Sequence, residues 1–205
     1  MSKENVIPIK GYSEQLNAEH DWWVFPSSVE TDICKQIITL GEDKWKDAKI
    51  TNSLQSEEKL NKTIRDTQVT FCDEDWLYKI VWDYLHTANK KSNWNFQIDS
   101  CESMQIGKYG VGGHYDYHQD GNGFTKYVSK NKFTNGKTRK LSMTIVLNND
   151  YEGGEFQFFN YKDQLIKEKK GTVIVFPSYM VHRVRPVTKG TRYSLVVWFC
   201  GEPLT

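Results

Sequence analysis

The chain has 205 residues, which is enough for one domain with a sizeable core. Its hydrophobic content of 38% and aromatic content of 14%, with seven tryptophans, fit a globular chain and not a disordered one. The net charge of +1 excludes a global field that would recruit nucleic acid. Charge is uneven, however: Gly121 to Asn149 holds six Lys or Arg and no acid. The four cysteines (Cys34, Cys72, Cys101, Cys200) are scattered without a Cys-x-x-Cys, so reduced thiols are expected in place of a disulfide framework or a zinc ribbon. The opening MSKENVIPIKG lacks an apolar signal core, and the longest apolar runs, such as Leu195 to Cys200, are too short to span a bilayer. A soluble, cytoplasmic protein with no membrane contact is expected.

The first half reads helical and the second half reads strand, which predicts an α+β fold. Ser27-Ser28-Val29-Glu30 has the Ser-x-x-Glu form of a capping box. Ile33, Cys34, Ile37, Ile38 and Leu40 make an apolar stripe behind it, and Gly41 can close that helix. A second helix is expected after Asp73, with Glu74 and Asp75 favourable in its first turn. Trp76, Leu77, Ile80, Val81, Tyr84, Leu85 and Ala88 recur there at helical spacing, which predicts packing against a sheet.

From about Trp94 the period changes. In LSMTIVLN, Leu141, Met143, Ile145 and Leu147 alternate with Ser142, Thr144 and Val146. EFQFFN, GTVIVFP and TRYSLVVWFC follow, separated by Asn149-Asp150, Gly153-Gly154, Pro177-Ser178 and Lys189-Gly190. Short strands at this spacing predict a double-sheet jelly roll or barrel. Residues 121–140 have no period and many Gly, Asn and Lys, so they read as a long mobile loop, either a lid or a solvated tether.

The chemistry concentrates in YGVGGHYDYHQDG, Tyr109 to Gly121. In a strand, residues i and i+2 share a face, so His118 and Asp120 can aim at one ion, with His182 arriving from a later strand. Two imidazoles and a carboxylate suit Fe(II) and leave three positions open; the same set could hold zinc. His114 and Asp116 form a second His-x-Asp of the same parity, and alternation alone cannot choose between the pairs. Two local features favour the later pair: His114 follows a flexible Gly-Val-Gly-Gly, whereas His118 and Asp120 precede the Gly121-Asn122-Gly123 break, where a barrel would open. His20 and His86 read as ordinary surface or helix histidines.

Arg192, Ser194, Val196 and Trp198 share parity on the last strand. A guanidinium fork and a hydroxyl on one face suit the distal carboxylate of 2-oxoglutarate, while its 2-oxoacid end would chelate the metal. Tyr109, one strand-length before His118, can donate its phenol to the same ligand.

Together these residues resemble the prolyl 4-hydroxylase-like family of Fe(II)/2-oxoglutarate dioxygenases. The pattern Tyr-x-x-Gly-x-x-Tyr-x-x-His-x-Asp is matched by Tyr109, Gly112, Tyr115, His118 and Asp120. RKLSMTIVLNNDYEGGEF is similar to the family's central strand and Glu-Gly-Gly turn, and FPSYMVHRVRPVTKGTRYSLVVWF to its second half. The resemblance covers about Gln97 to Trp198; the preceding helices and IRDTQVTF fit more loosely.

The resemblance implies a double-stranded β-helix (jelly-roll) core with flanking N-terminal helices. It gives a single domain over 1–205, with about 1–93 mainly helical support and about 94–205 carrying the site. His118, Asp120 and His182 would bind iron; Arg192, Ser194, Tyr109 and Trp198 would hold the cosubstrate. The implied activity couples decarboxylation of 2-oxoglutarate to succinate and CO₂ with hydroxylation of a prolyl residue in a peptide or protein, using O₂, with ascorbate as a reductant. Arg139, and Tyr115 with it, would contact substrate. Val146 stands where many relatives place a tyrosine near the cosubstrate. Alternative substrates are a free amino acid, a small molecule or an alkylated nucleic acid; a non-catalytic jelly-roll metal module is the rival of another class. Nothing in the sequence sets an oligomeric state.

Overall fold

Strand-forming residues dominate the second half, and they build two facing antiparallel sheets. The computed structural model describes residues 20–51, 58–128, 132–161, 165–166 and 169–203; the N-terminal MSKENVIPIKG lies outside them. The larger sheet has eight strands. Its order runs Trp23–Phe25, Val173–Pro177, Thr138–Val146, Arg192–Gly201, Met104–Tyr109, Gln68–Cys72, Lys46–Asp47, with Ser100–Cys101 also paired to Arg192–Gly201. The smaller sheet has four strands, in the order Phe156–Phe158, His182–Val184, His114–His118, Arg65–Asp66. This is the double-stranded β-helix architecture.

The larger sheet is covered on both faces, and the LSMTIVLN alternation sorts residues between them. Leu141, Met143, Ile145 and Leu147 pack with Ile37, Leu77, Val81 and Leu85 from the two helices. Ser142 and Thr144 point the other way and are still buried, because the smaller sheet closes over them. Trp22, Phe156, Phe158, Ile174 and Phe176 fill the space between the sheets.

Helix α1 spans Thr31–Leu40 and α2 spans Asp75–Lys91. The capping box expected at Ser27 to Glu30 does not form. Glu30 is itself the N-cap, without a side-chain bond, and the Ser28 hydroxyl instead donates to the Phe25 carbonyl. Gly41 does end α1, but in right-handed conformation, with φ −89°. What requires glycine there is space: an added Cβ would lie 2.6 Å from the Trp45 ring. Glu74 caps α2 and does not join its first turn, and Lys90 and Lys91 sit favourably in the last turn.

Two expectations need correction. The segment before residue 94 is more than helical support, since Trp23–Phe25 and Gln68–Cys72 are strands of the larger sheet and Arg65–Asp66 is a strand of the smaller one. The loop after Asp120 also ends earlier than residue 140, because the strand begins at Thr138 and takes in Arg139 and Lys140. The loop is tied at its neck by backbone bonds between Tyr127 and Lys137 (2.8 Å) and between Gly136 and Tyr127 (2.9 Å).

Candidate metal centre and cosubstrate cavity

The metal-ligating residues come from two adjacent strands of the smaller sheet. His182 pairs directly with His118, but Val184 pairs with Tyr115, so two steps on one strand oppose three on the other. This extra residue is a β-bulge, and it breaks the simple alternation. His118 therefore faces the cavity with Tyr115, not with His114. The ligand atoms of His118, Asp120 and His182 lie within 4.8 Å of one another.

Backbone carbonyls set both imidazoles. The Nδ1–H of His118 donates to the Asp116 carbonyl and that of His182 to the Met180 carbonyl, each at 2.8 Å. A carbonyl can only accept, so each ring keeps its proton on Nδ1 and presents the Nε2 lone pair. The two Nε2 atoms lie 3.7 and 3.6 Å from the carboxylate oxygens of Asp120. Asp120 is itself placed by the Ser178 carbonyl, which accepts the Asp120 and Gly121 amides at 3.1 Å.

Electrostatics keep His118 and Asp120 in their ligating forms. Burial, followed by the neighbouring His182, pushes the His118 pKa down to about 3, which leaves the ring neutral. Burial would raise the Asp120 carboxyl, but His182, His118 and Arg139 outweigh it and hold Asp120 below its ordinary range. Asp120 Oδ2 is buried without a hydrogen-bond partner. An ionised oxygen in that position fits a cation, and the N, N, O donor set suits Fe(II).

The competing pair is disposed differently. His114 turns Nδ1 towards the Gly112 carbonyl (2.9 Å) and Nε2 towards the Thr63 carbonyl (3.2 Å), so both ring nitrogens face backbone and not the triad. Asp116 is exposed and accepts the Tyr117 amide.

A small cavity of about 30 Å³ opens on the triad. Arg192, Ser194, Val196 and Trp198 all line it, as does Tyr109. Arg192 is only 1% exposed and pairs in register with Tyr109, whose ring centroid lies 5.5 Å from the guanidinium carbon. Gly107 keeps the wall open beside Ser194, because a Cβ there would lie 3.2 Å from the Tyr109 ring. Val146 is buried opposite Ser194.

Tyr115 lines the same cavity and stacks on His118. Arg139 is not a lining residue of this cavity; it stacks on Trp198, which is. Its Nε and Nη2 each donate to the Glu102 carboxylate at 2.6 Å, its Nη1 donates to the Asp120 carbonyl at 3.2 Å, and its guanidinium lies 4.0 Å from the Trp198 ring. Burial would lower its pKa, but Glu102 more than offsets this and keeps Arg139 charged.

Sequence reasoning missed three polar residues of the cavity: Arg65, Gln105 and Thr144. Gln105 has the parity of Tyr109, and Thr144 that of Ser142, so alternation could have found both. Arg65 is 8% exposed, lies 4.5 Å over the Tyr115 ring and leaves Nε without a hydrogen-bond partner. Its signal was weak, because an arginine between Ile64 and Asp66 reads as surface charge.

A double-stranded β-helix with two histidines and an aspartate at one mouth, and an arginine deeper inside, defines the class of facial-triad, 2-oxoacid-using oxygenases. The comparisons with known proteins agree. Residues 104–200 match the 2OG-Fe(II) oxygenase superfamily. A PKHD-type hydroxylase of Picosynechococcus sp. is 37% identical over 102 residues, covering 48% of this chain and 42% of the relative. A PKHD-type hydroxylase of Idiomarina loihiensis is 24% identical over 176 residues, covering 84% of this chain and 74% of the relative. The chain spans less than half the length of the first curated relatives it matches, 42%, 36% and 41%.

Solved structures share the fold. The viral collagen prolyl hydroxylase of Paramecium bursaria Chlorella virus-1 aligns with a TM-score of 0.65 at 19% identity, over 88% of this chain and 96% of that one. A Pseudomonas putida prolyl-4-hydroxylase aligns with a TM-score of 0.64 at 20% identity, over 88% and 92%.

Proposed function

We propose that this protein is an Fe(II)- and 2-oxoglutarate-dependent dioxygenase that hydroxylates a prolyl residue in a peptide or protein. The observation that carries this reading is the triad geometry: three ligand atoms converge, and both imidazoles are tautomerically fixed to present Nε2. The PKHD-type relatives and the prolyl hydroxylase neighbours support the choice of acceptor. Among the described residues, no helix is long and apolar enough to cross a membrane. The four cysteines are free thiols, which supports a cytoplasmic setting.

His118, Asp120 and His182 would hold iron, which when bound activates dioxygen and couples it to decarboxylation of 2-oxoglutarate. Arg192 receives the distal carboxylate, because a planar guanidinium pairs with both carboxylate oxygens at once. Ser194 and Tyr109 add hydrogen-bond donors at that end. Trp198 and Tyr115 wall the cavity, where they would exclude water and border the acceptor residue. Arg139 donates to the Asp120 carbonyl and stacks on the cavity-lining Trp198, from where it would meet the substrate backbone. Residues 1–205 work as one domain in this scheme.

Anaerobic titration with Fe(II) and 2-oxoglutarate tests the cofactor chemistry. A visible charge-transfer band is expected; a folded, metal-loaded protein without it would be a binding module. Mass spectrometry of prolyl peptides then looks for one added oxygen that depends on 2-oxoglutarate.

A further inference from the structure

Three arginines stand around the metal centre, and the charges of two are accounted for. Arg139 is matched by the Glu102 carboxylate. Arg192 stands where the distal carboxylate of the cosubstrate would come. Arg65 also lines the cavity and is buried, yet among the described residues no carboxylate lies within ion-pair distance of it. Its neighbour Asp66 belongs to the other face of the strand and pairs with Lys62 at 3.6 Å. A desolvated charge without a counter-charge costs stability that an apolar side chain of the same size would not.

What lies against Arg65 is aromatic. It pairs in register with Tyr115, which places both side chains on one face of the smaller sheet. The guanidinium carbon is 4.5 Å from the centre of the Tyr115 ring, and the same ring lies flat on His118. The electron-rich face of the phenol attracts the cation and keeps it there. A fixed positive charge, an aromatic ring and a metal-ligating imidazole thus stand in contact in that order. The field of the cation reaches the ligand: burial and His182 do most to lower the His118 pKa, and Arg65 adds to them.

Ferric iron carries one more unit of positive charge than ferrous iron. A like charge held in a dry wall beside a ligand therefore opposes the ferric state more strongly. We propose that Arg65 holds the iron of this site in the ferrous state, by raising the reduction potential of the metal through Tyr115 and His118. This rests on the iron-binding reading above. In this role Arg65 is a positioning residue, since it acts through the two rings and not on the reacting atoms.

The test is a mediated redox titration of the iron-loaded protein, with the ferric signal followed by electron paramagnetic resonance. Arg65→Met should lower the midpoint potential. Arg65→Lys, which keeps the charge, should stay near wild type. Arg65→Gln is uncharged but still polar; it should follow Arg65→Met and guards against a packing defect peculiar to one variant. In air, where iron passes one electron to dioxygen, both uncharged variants should lose ferrous iron several-fold faster than wild type. Mn(II) binding separates charge from packing. Removal of a like charge should tighten it several-fold in Arg65→Met, whereas removal of a prop for the His118 ring would loosen it. The melting temperature of the metal-free protein checks that each variant is folded. An unchanged or higher midpoint in both uncharged variants would overturn the proposal. So would weaker Mn(II) binding in both, or a shift in Arg65→Lys equal to that in Arg65→Met. Failure of the iron-binding reading looks different: the wild-type protein would retain neither iron nor manganese.

Discussion

Tyr115 lies flat on His118, with ring centroids 3.5 Å apart and planes 12° from parallel. Two residues separate them in sequence, a spacing that would put them on opposite faces of a regular strand. The bulge opposite His182–Val184 brings them together. It thereby selects His118 over His114 as the ligand, and it links the metal site to Arg65, which caps the Tyr115 ring at 4.5 Å.

His118→Ala should therefore abolish Fe(II) binding and succinate production, while His114→Ala should retain most of both. A neutral His114 ring donates to one backbone carbonyl at a time, a bond worth about 1 kcal/mol, so only modest destabilisation is expected. Iron titration followed by succinate quantification checks the pair. The reverse ranking would mean that the register is misassigned.

This case marks how far the sequence could be read. Helical stripes, the strand alternation from Leu141 to Leu147 and the shared parity of Arg192, Ser194, Val196 and Trp198 were all legible, because period-2 and period-3.6 patterns follow from local backbone geometry. The bulge was not legible, since one extra residue changes parity without leaving a residue type behind. Nor were Glu102 and Arg65. Their positions depend on which distant strands come to lie side by side, and a charged residue near a strand end looks the same whether it faces solvent or a cavity. The strand Trp23–Phe25 was missed for a similar reason, because three residues are too few to display a period.

Arg192→Ala should weaken 2-oxoglutarate binding by about 2–3 kcal/mol, the range for a charged hydrogen-bond pair, which is roughly 30- to 150-fold. Arg192→Lys should recover part of that loss, because an ammonium keeps the charge but not the planar fork. Equilibrium titration of the iron-loaded protein with 2-oxoglutarate measures both. Iron affinity in the absence of cosubstrate should remain near wild type, and an equal fall in both affinities would place Arg192 in the metal site instead.

Metal should stabilise the fold. Three ligating side chains from two paired strands and the loop end are gathered only in the native state, so a bound cation favours that state by mass action. At one hundred times its dissociation constant the gain is about 2.7 kcal/mol. For a chain of this size that corresponds to a rise of about 5–10 °C in melting temperature. Differential scanning fluorimetry with Fe(II) under anaerobic conditions, with and without chelator, should show the rise. His118→Ala should erase it, and a similar shift in that variant would point to a different metal site.

The Arg139–Glu102 pair gives the last prediction. Both side chains are 23% exposed, and their two 2.6 Å bonds join the Thr138–Val146 strand to the turn before Met104. Arg139→Met leaves the Glu102 carboxylate partly buried without its partner and leaves the Asp120 carbonyl with the Tyr127 hydroxyl as its remaining side-chain donor. Loss of about 3 kcal/mol is expected, at the lower edge of the range for broken buried pairs because some solvent reaches this one. Glu102→Gln should cost less, since an amide can still accept from the guanidinium. The double variant Arg139→Met with Glu102→Leu should recover much of the stability, because no uncompensated charge remains. Iron affinity should separate the two roles. The double variant should regain its unfolding midpoint in urea yet bind Fe(II) more weakly than wild type, because one of the two side-chain bonds that hold the Asp120 carbonyl is still missing. Full recovery of both quantities would reduce Arg139 to an ion-pair partner without influence on the metal centre.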